Sequence, residues 1–508
     1  MNVSAILENN VVAGRANKIA VYHGNETWTY GVLVSWANRM GNALKQLDVR
    51  PNERVLLLLP DSAAFPICFF GATKVGAVPV PVNTMLTSSD YEYLLKDSDA
   101  SVLIVHQTLY YLVEPIRANC KALKHVLVIG AKGRSIEGTL GWEDCLEAES
   151  TELETVERAS HDMAFWLYSS GSTGKPKGVV HAHGGMFSTS EHSGKQILKI
   201  DQNDISLSSS KLFHAYGLGN SMSFPFAVGA ATVLNPHLSL PDVLLDLIAK
   251  FKPTLLFAIP KIYLSLIELA EQGKAFDISS LRLCISSGEG LPADVYRRWS
   301  NFCEIELLDV LGSTELLHMF IANRQGLVKA GSSGRVVSGY QARVVDDKGD
   351  AVPTGEIGDL VVTGPSAALG YWNQPEASSK SFEGGWVVTG DKYHMDEEGY
   401  YWFRGRSNDV FKSNGIWISP IEVESVLDEH PSVKESAVVC VRDQSGLFRA
   451  KAHVVLRTGE LGTEELVQTL RKFVKRRLPQ RSPDYIDFVD ALPKTATGKI
   501  QRYKLRGE

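Results

Sequence analysis

No Cys-x-x-Cys pair occurs in this chain, and its six cysteines, at positions 68, 120, 145, 284, 303 and 440, stand far apart. Such spacing excludes a disulfide framework and a cysteine zinc site and leaves buried thiols as the expectation. Long apolar runs are missing too. The longest, Ser223 to Leu234, covers about 12 residues and is broken by Pro225 and Gly229, too short to cross a bilayer, so no membrane partner is expected. The first residues, Met1-Asn-Val-Ser-Ala-Ile-Leu-Glu, have no basic stretch ahead of an apolar core; a secretory leader is not expected, and the cytoplasm is the expected compartment. Charge of one sign is not in excess: 52 basic and 58 acidic residues give a net −6, which offers no electrostatic footprint for nucleic acid. Internal repeats and low-complexity linkers are absent. What remains is an ordinary globular composition, 44% hydrophobic over 508 residues, long enough for roughly three domain-sized units.

The most informative segment present is Tyr168 to Gly178, Y-S-S-G-S-T-G-K-P-K-G, directly after the apolar run Met163-Ala-Phe-Trp-Leu. Glycines let successive backbone N–H groups converge on an anion, hydroxyls add neutral donors and lysines add mobile positive charge. The segment therefore suits phosphate. It is not a Walker loop, because Gly174-Lys175 runs into Pro176, which has no N–H to donate. A flexible surface turn is the bland alternative.

Residues 16 to 160 alternate helical patterns with short apolar runs, Val55-Leu-Leu-Leu-Leu, Val78 to Val82, Val102-Leu-Ile-Val and Val126-Leu-Val-Ile. Such runs read as parallel strands covered on both faces. The rhythm resumes from 163 to 310 with Leu255-Leu-Phe-Ala-Ile, Leu281-Arg-Leu-Cys-Ile and Ile305-Glu-Leu-Leu, so two α/β layers are expected. From about 330 to 402, short alternating segments with frequent turn residues predict antiparallel hairpins. Beyond Arg406 the pattern becomes α+β. Ser419-Pro-Ile-Glu422 predicts a capped helix start with Glu422 reaching back to the cap, and a second helix is expected near Thr463 with Leu466, Leu470, Phe473 and Val474 on one face. Arg471 to Arg481 holds six Lys or Arg residues, either a solvated face or an anion site.

Three downstream segments supply partners for a nucleotide. Cys284-Ile-Ser-Ser-Gly-Glu-Gly leaves a strand into a glycine loop where backbone can approach a flat base. Leu308-Asp-Val-Leu-Gly-Ser-Thr-Glu315 places a hydroxyl beside a carboxylate, a pair suited to Mg²⁺ next to phosphates, or else a plain helix cap. Trp386-Val-Val-Thr-Gly-Asp391 sets an acid after a short strand, able to accept from two vicinal ribose hydroxyls or to stand as a turn aspartate.

Together the phosphate loop, Gly312-Ser-Thr-Glu, Thr389-Gly-Asp, Gly405-Arg-Ser-Asn-Asp and Pro493-Lys-Thr-Ala-Thr-Gly-Lys499 resemble, in order, the adenylate-forming superfamily of acyl-CoA synthetases, carrier-protein adenylation domains and luciferases. The resemblance implies an α/β fold. A large N-terminal adenylation domain, 1–405, would combine two stacked α/β sheet layers with a small antiparallel β-barrel-like subdomain, and a small mobile α+β C-terminal domain, 406–508, would follow. It implies ATP, Mg²⁺ and coenzyme A, with a carboxylate attacking the α-phosphorus of ATP before a thiol takes the acyl group. Ser169, Ser170, Gly171, Ser172, Thr173, Gly174 and Lys177 would hold the β and γ phosphates. Ser287, Gly288, Glu289, Asp309, Leu311 and Gly312 would contact the nucleotide, Thr314 and Glu315 the α-phosphate and metal, and Asp391 and Arg406 the ribose. Lys499 would bridge the two reacting anions as a catalytic residue. A pivot is implied near Asn408, where relatives often carry aspartate, and Leu311 stands where many carry an aromatic residue. Lys412, Gly415 and Arg481 are the implied CoA contacts.

The acid follows from a narrower likeness. Lys211-Leu-Phe, Ala215-Tyr-Gly-Leu-Gly-Asn, Gly312-Ser-Thr-Glu-Leu-Leu-His and Gly364-Pro-Ser-Ala resemble benzoate-CoA ligases and their hydroxy- and aminobenzoate relatives. His214, Ala215, Tyr216, Gly217, Val310 and His318 would form the acyl pocket, with His214 at a position where amino-acid-activating domains place an aspartate for the substrate ammonium. An aryl-CoA ligase acting as monomer or homodimer is the expectation. The alternatives are a stand-alone adenylation enzyme loading a carrier protein in trans, since the chain runs nine residues past Lys499 with no fused carrier, a luciferase-like oxygenase, and a nucleotide-binding protein without catalysis. Thiol acceptor and acid tests separate them.

Overall fold

The computed structural model describes residues 1–506 apart from 135, 170–174, 414–415, 445–446 and 495–499, together with the side chain of Lys412. Packing divides the chain into two compact units, Met1–Gln341 with Val362–Val387, and Ala342–Val361 with Val388–Glu508. The hairpin strands around 342–361 and 388–405 thus pack with the C-terminal segment, so the units divide at other residues than 405/406.

The first unit is α/β, with two large sheets. One is five-stranded and wholly parallel, in the order Val78–Pro81, Arg54–Leu58, Val102–His106, His125–Ile129, Leu140–Gly141. Its interior strands are apolar on successive residues and are buried on both faces, which is why they read as continuous runs rather than alternating ones. The other sheet is nine-stranded. Its middle strands, Leu307–Gly312, Leu283–Ser286, Leu255–Ala258, Ile205–Ser208, Ala231–Leu234 and Ile19–His23, are parallel, and antiparallel strands close both edges. A shared core joins the helices to these sheets through fully buried Phe65, Phe69, Phe70 and Phe165, each contributing roughly 1.5–3 kcal/mol by leaving water. A three-stranded antiparallel sheet, Gly370–Tyr371, Lys177–Ala182 and Met163–Ser169, carries the phosphate-type loop.

Trp386–Met395 and Tyr401–Arg406 form an antiparallel pair within a five-stranded sheet that includes Gln341–Val345 and Gly358–Thr363, and the residues of these strands from 342 to 361 and from 388 onward belong to the second unit. Asp391 therefore lies inside a ten-residue strand, a correction to its reading as a residue beyond a short one. The α+β remainder is a three-stranded sheet, Val433–Arg442, Phe448–Leu456 and Tyr485–Phe488, packed through Val423, Leu427, Val438, Val454, Leu470 and Val474 against the helices Pro420–Asp428 and Glu464–Arg477. Thr463 and Ser419 cap these helices, accepting from the N–H groups of Leu466 at 3.2 Å and Glu422 at 3.3 Å. Glu422 does not reach back to its cap as the pattern predicts. Its two oxygens accept instead from Arg404 at 2.5 Å and Arg481 at 2.6 Å, because two charge-assisted bonds outcompete one to a backbone N–H. Among the described residues no helix is long and apolar enough to cross a membrane, and the cysteines are free.

Candidate active site

Ser169 and Lys177 face each other where the strands Met163–Ser169 and Lys177–Ala182 pair. Ser170, Gly171, Ser172, Thr173 and Gly174 lie outside the described residues, but both ends of their segment are fastened to the helix Ser88–Ser98. The Tyr168 hydroxyl donates to Asp97 Oδ2 at 2.7 Å and the Tyr93 hydroxyl to the Pro176 carbonyl at 3.0 Å. Lys175 Nζ sits 5.3 Å from the Tyr93 ring centroid and Lys177 Nζ 4.9 Å from that of Tyr371, within cation–π range.

The strand Leu307–Gly312 delivers Thr314 and Glu315 into a single 3₁₀ turn, Thr314–Leu316. Ser313 makes no capping bond and its buried Oγ has no partner among the described residues, so this is not the capped helix start of the bland alternative. Glu315 is held on two sides. Its Oε1 accepts from the Tyr371 hydroxyl at 2.9 Å, and its carbonyl accepts from the Ala368 N–H at 2.8 Å. Ser287 directs its hydroxyl inward to the Val310 carbonyl at 2.9 Å, whereas Gly288, at φ +89°, and Glu289 are exposed. Leu311 and Gly312 are half-buried at the end of the strand. Asp309 is buried, with Oδ1 unpartnered among the described residues, and burial pushes its carboxyl well above the usual carboxylate range against the opposing backbone N–H groups of Leu291 and Val310. Among the described residues no cluster of three or more His, Cys, Asp or Glu side chains could hold a metal alone. One carboxylate and one hydroxyl at Glu315 and Thr314 do fit a hard cation that keeps its waters and arrives with substrate phosphates.

Downstream of that turn lies His318, buried, its Nε2 3.1 Å from Asn220 Oδ1 and 3.3 Å from the Tyr216 carbonyl. Burial drives its pKa down to about 3, so the ring is a neutral imidazole. The Tyr216 ring stands 5.5 Å away and that of Phe224 4.4 Å. Tyr216 donates its hydroxyl to the Ile285 carbonyl at 3.0 Å, and burial holds it protonated. Asn220 enters through the π-helical turn Gly219–Ser223, and a β-carbon on Gly219 would lie 2.2 Å from His318 Cδ2. Gly217 is equally forced, since a β-carbon there would be 2.1 Å from the Lys211 carbonyl. Ala215 and Val310 are buried, while His214 is exposed with its ring 4.5 Å from Phe213. The turn holding these residues is fixed from outside by Asp61, whose Oδ1 accepts from Leu212 N–H at 3.0 Å, and by Lys211, which donates to the carbonyls of Asn235 at 2.6 Å and His237 at 2.5 Å. Asn220, Phe224, Asp61 and Tyr371 were not singled out from the sequence; of these only Asn220 lay inside a recognised motif.

In the second unit Asp391 and Arg406 are cross-strand neighbours joined at 3.1 Å, the guanidinium exposed and the carboxylate largely covered. Gly415 and Lys499 lie outside the described residues, and Lys412 is placed only as part of the strand Phe411–Ser413. Arg481 is paired with Glu422. Asn408 is exposed, and its carbonyl accepts from Arg506 Nη2 at 3.1 Å.

The AMP-binding enzyme model matches residues 8–372 and the AMP-binding enzyme C-terminal domain model residues 422–499. This chain belongs to the AMP-binding enzyme family, the AMP-forming acid–thiol ligases. It is 43% identical over 504 residues to the benzoate–CoA ligase of Thauera aromatica, covering 99% of this chain and 94% of that one. It is 39% identical to the 4-hydroxybenzoate–CoA/benzoate–CoA ligase of Rhodopseudomonas palustris, covering 98% and 92%. Among solved structures it is similar to an anthranilate CoA ligase in complex with anthranoyl-AMP, with TM-score 0.92 and 42% identity over 99% of this chain and 96% of that one. It is also similar to a benzoate CoA ligase from Burkholderia xenovorans, with TM-score 0.87 and 39% identity over the whole of both chains.

Proposed function

We propose that this enzyme converts a small aromatic carboxylic acid, benzoate or a hydroxy- or aminobenzoate, to its CoA thioester through an aryl-adenylate, releasing AMP and pyrophosphate. The observation that carries the reading is the continuity of two chemistries across one turn. Glu315 and Thr314 stand on one side of it, and on the other His318 joins Tyr216 and Phe224 in a cluster whose ionisable members are both neutral. An uncharged, ring-lined neighbourhood suits a flat aromatic acid; the ammonium of an amino acid would need a counter-charge there. The names of the full-length relatives support the same acid class.

In the first half-reaction a carboxylate oxygen bonds to the α-phosphorus of ATP and the bond to the β-phosphate breaks, with Ser169 to Lys177 holding the departing pyrophosphate end. Thr314 and Glu315 would hold Mg²⁺, which when bound neutralises phosphate charge. Lys499 brings its ammonium between the two anions, a preorganised charge at the point of greatest repulsion. Asp391 and Arg406 orient the ribose. In the second half-reaction the CoA sulfur, having lost its proton, bonds to the acyl carbon and the bond to AMP breaks. The segment after Asn408 pivots between the two steps, carrying Lys499 away and bringing Lys412 and Gly415 to the thiol, with Arg481 toward the CoA phosphates.

Incubation with ATP, Mg²⁺, CoA and a panel of benzoates should yield AMP and an aryl thioester. Turnover of fatty or amino acids with no AMP from any aromatic acid would reject the acid class. Transfer to a phosphopantetheinyl carrier protein but not to CoA would reject the acceptor.

A further inference from the structure

Tyr371 lies between the two charges that a metal–nucleotide complex needs separately. Its strand, Gly370–Tyr371, pairs with Lys177–Ala182, the strand leaving the phosphate-type loop, and Tyr371 stands opposite Val179. Lys177 Nζ rests over the ring at 4.9 Å, while the hydroxyl at the far end of the same ring donates to Glu315 Oε1 at 2.9 Å. Its orientation is fixed: the Tyr371 N–H donates to Ser378 Oγ at 2.9 Å, the Phe382 ring meets it edge-on at 5.4 Å, and the next residue, Trp372, stacks on Trp166 at 4.6 Å. The segment is also laced to the acidic turn, through Ala368 N–H to the Glu315 carbonyl at 2.8 Å and Ser366 Oγ to the Leu316 carbonyl at 2.7 Å. Among the described residues Lys177 and Glu315 form no ion pair with each other.

We infer that Tyr371 is a positioning residue that keeps Lys177 and Glu315 from neutralising one another, holding the lysine for phosphate by its ring face and the carboxylate for Mg²⁺ by its hydroxyl. The inference rests on the nucleotide part of the proposed function and is independent of the acid. A carboxylate fixed by a neutral donor keeps its full charge and loses only orientational freedom, the arrangement by which partners beyond the ligating group tune a metal site.

Equilibrium binding of ATP, measured calorimetrically with and without Mg²⁺, separates the two tasks. Tyr371→Phe keeps the ring and removes the hydroxyl. ATP affinity without Mg²⁺ should stay as in the wild type, while the Mg²⁺ concentration for half-maximal enhancement should rise about tenfold. Tyr371→Leu removes the ring as well and should in addition weaken ATP binding without the metal. In a Glu315→Gln background the Tyr371→Phe effect on Mg²⁺ dependence should vanish, because both substitutions act through one carboxylate. A wild-type Mg²⁺ dependence in Tyr371→Phe, an equal loss with and without Mg²⁺, or persistence of the effect in Glu315→Gln would each overturn the inference, as would failure of the wild type to bind ATP. If ATP and Mg²⁺ behave as stated but no aromatic acid is turned over, only the acid assignment falls.

Discussion

If Lys499 bridges the two reacting anions, as proposed, it should matter in one half-reaction and not in the other. Lys499→Ala is expected to slow pyrophosphate release by on the order of 10²- to 10³-fold, the usual loss for one preorganised donor at developing charge. Thioester formation from a supplied aryl-adenylate should change far less, and equal losses in rapid-quench assays of the two steps would count against the assignment. Asp61 makes a different kind of prediction. Burial, opposed by Lys211 and the Leu212 N–H, raises its pKa to about 6, so the folded protein binds this proton more tightly than the unfolded chain does. Its contribution to stability is complete below about pH 4 and is lost as pH rises through about 6. Asp61→Asn keeps an acceptor for Leu212 and cannot titrate; relative to the wild type it should gain about 1–3 kcal/mol between pH 4 and 7, read from melting temperatures across that range. A constant difference between the two proteins would show that Asp61 does not titrate there. Neither Asp61 nor Tyr371 was legible as a site residue. Asp61 reaches its partner across 151 residues of chain and Tyr371 across 56, and no local pattern records a contact at that separation.

The elements most legible in the sequence were those whose burial is symmetrical. Strands such as Arg54–Leu58 and Leu255–Ala258 are apolar at nearly every position because helices or loops cover both faces, and the helix starts at Ser419 and Thr463 follow from side chains that cap their own first turns. Elements shaped by tertiary packing were less legible. Glu422 has the spacing of a capping box, yet two guanidinium groups from distant strands and loops claim it, and Asp391 follows a glycine at φ +73° that looks like a turn but continues a strand. The π-helical turn Gly219–Ser223 is of the same kind: nothing local distinguishes it from the helical turns on either side, and its consequence is that Asn220 meets His318 while Gly219 passes against the imidazole. Gly219→Ala should therefore cost about 1–3 kcal/mol by overpacking a site with no room. Because His318 must move, KM for the aromatic acid should rise while KM for ATP holds, and a variant with unchanged acid KM would remove His318 from the acyl site.

At the scale of the whole molecule the proposed reaction poses a difficulty: its two chemically different steps would use one set of substrates, and Lys499 would serve only the first. The tail that carries it is fastened locally on both flanks: Lys494 pairs with Glu435 and bridges to Ile500, Arg502 grips both oxygens of Glu424 at 2.9 and 2.7 Å, and Arg506 bonds the Asn408 carbonyl and Asp409. Those anchors lie on the C-terminal side of the proposed pivot or at it, so a rotation about Asn408 would carry the tail with the sheet Val433–Arg442 and Phe448–Leu456. Across the pivot the second unit has other contacts, Ser419 Oγ to the Arg404 carbonyl and Arg404 to Glu422, which the rotation would have to exchange. An asparagine at the proposed pivot would tolerate the backbone angles of two positions, whereas proline fixes φ near −65° and removes the N–H. Asn408→Pro should consequently leave one conformation accessible. If the accessible one is that of adenylation, pyrophosphate release survives while CoA transfer falls by about tenfold or more; if it is the other, the order of losses reverses. Either asymmetry supports a pivot at 408, and a variant with both half-reactions intact places the pivot elsewhere in the chain.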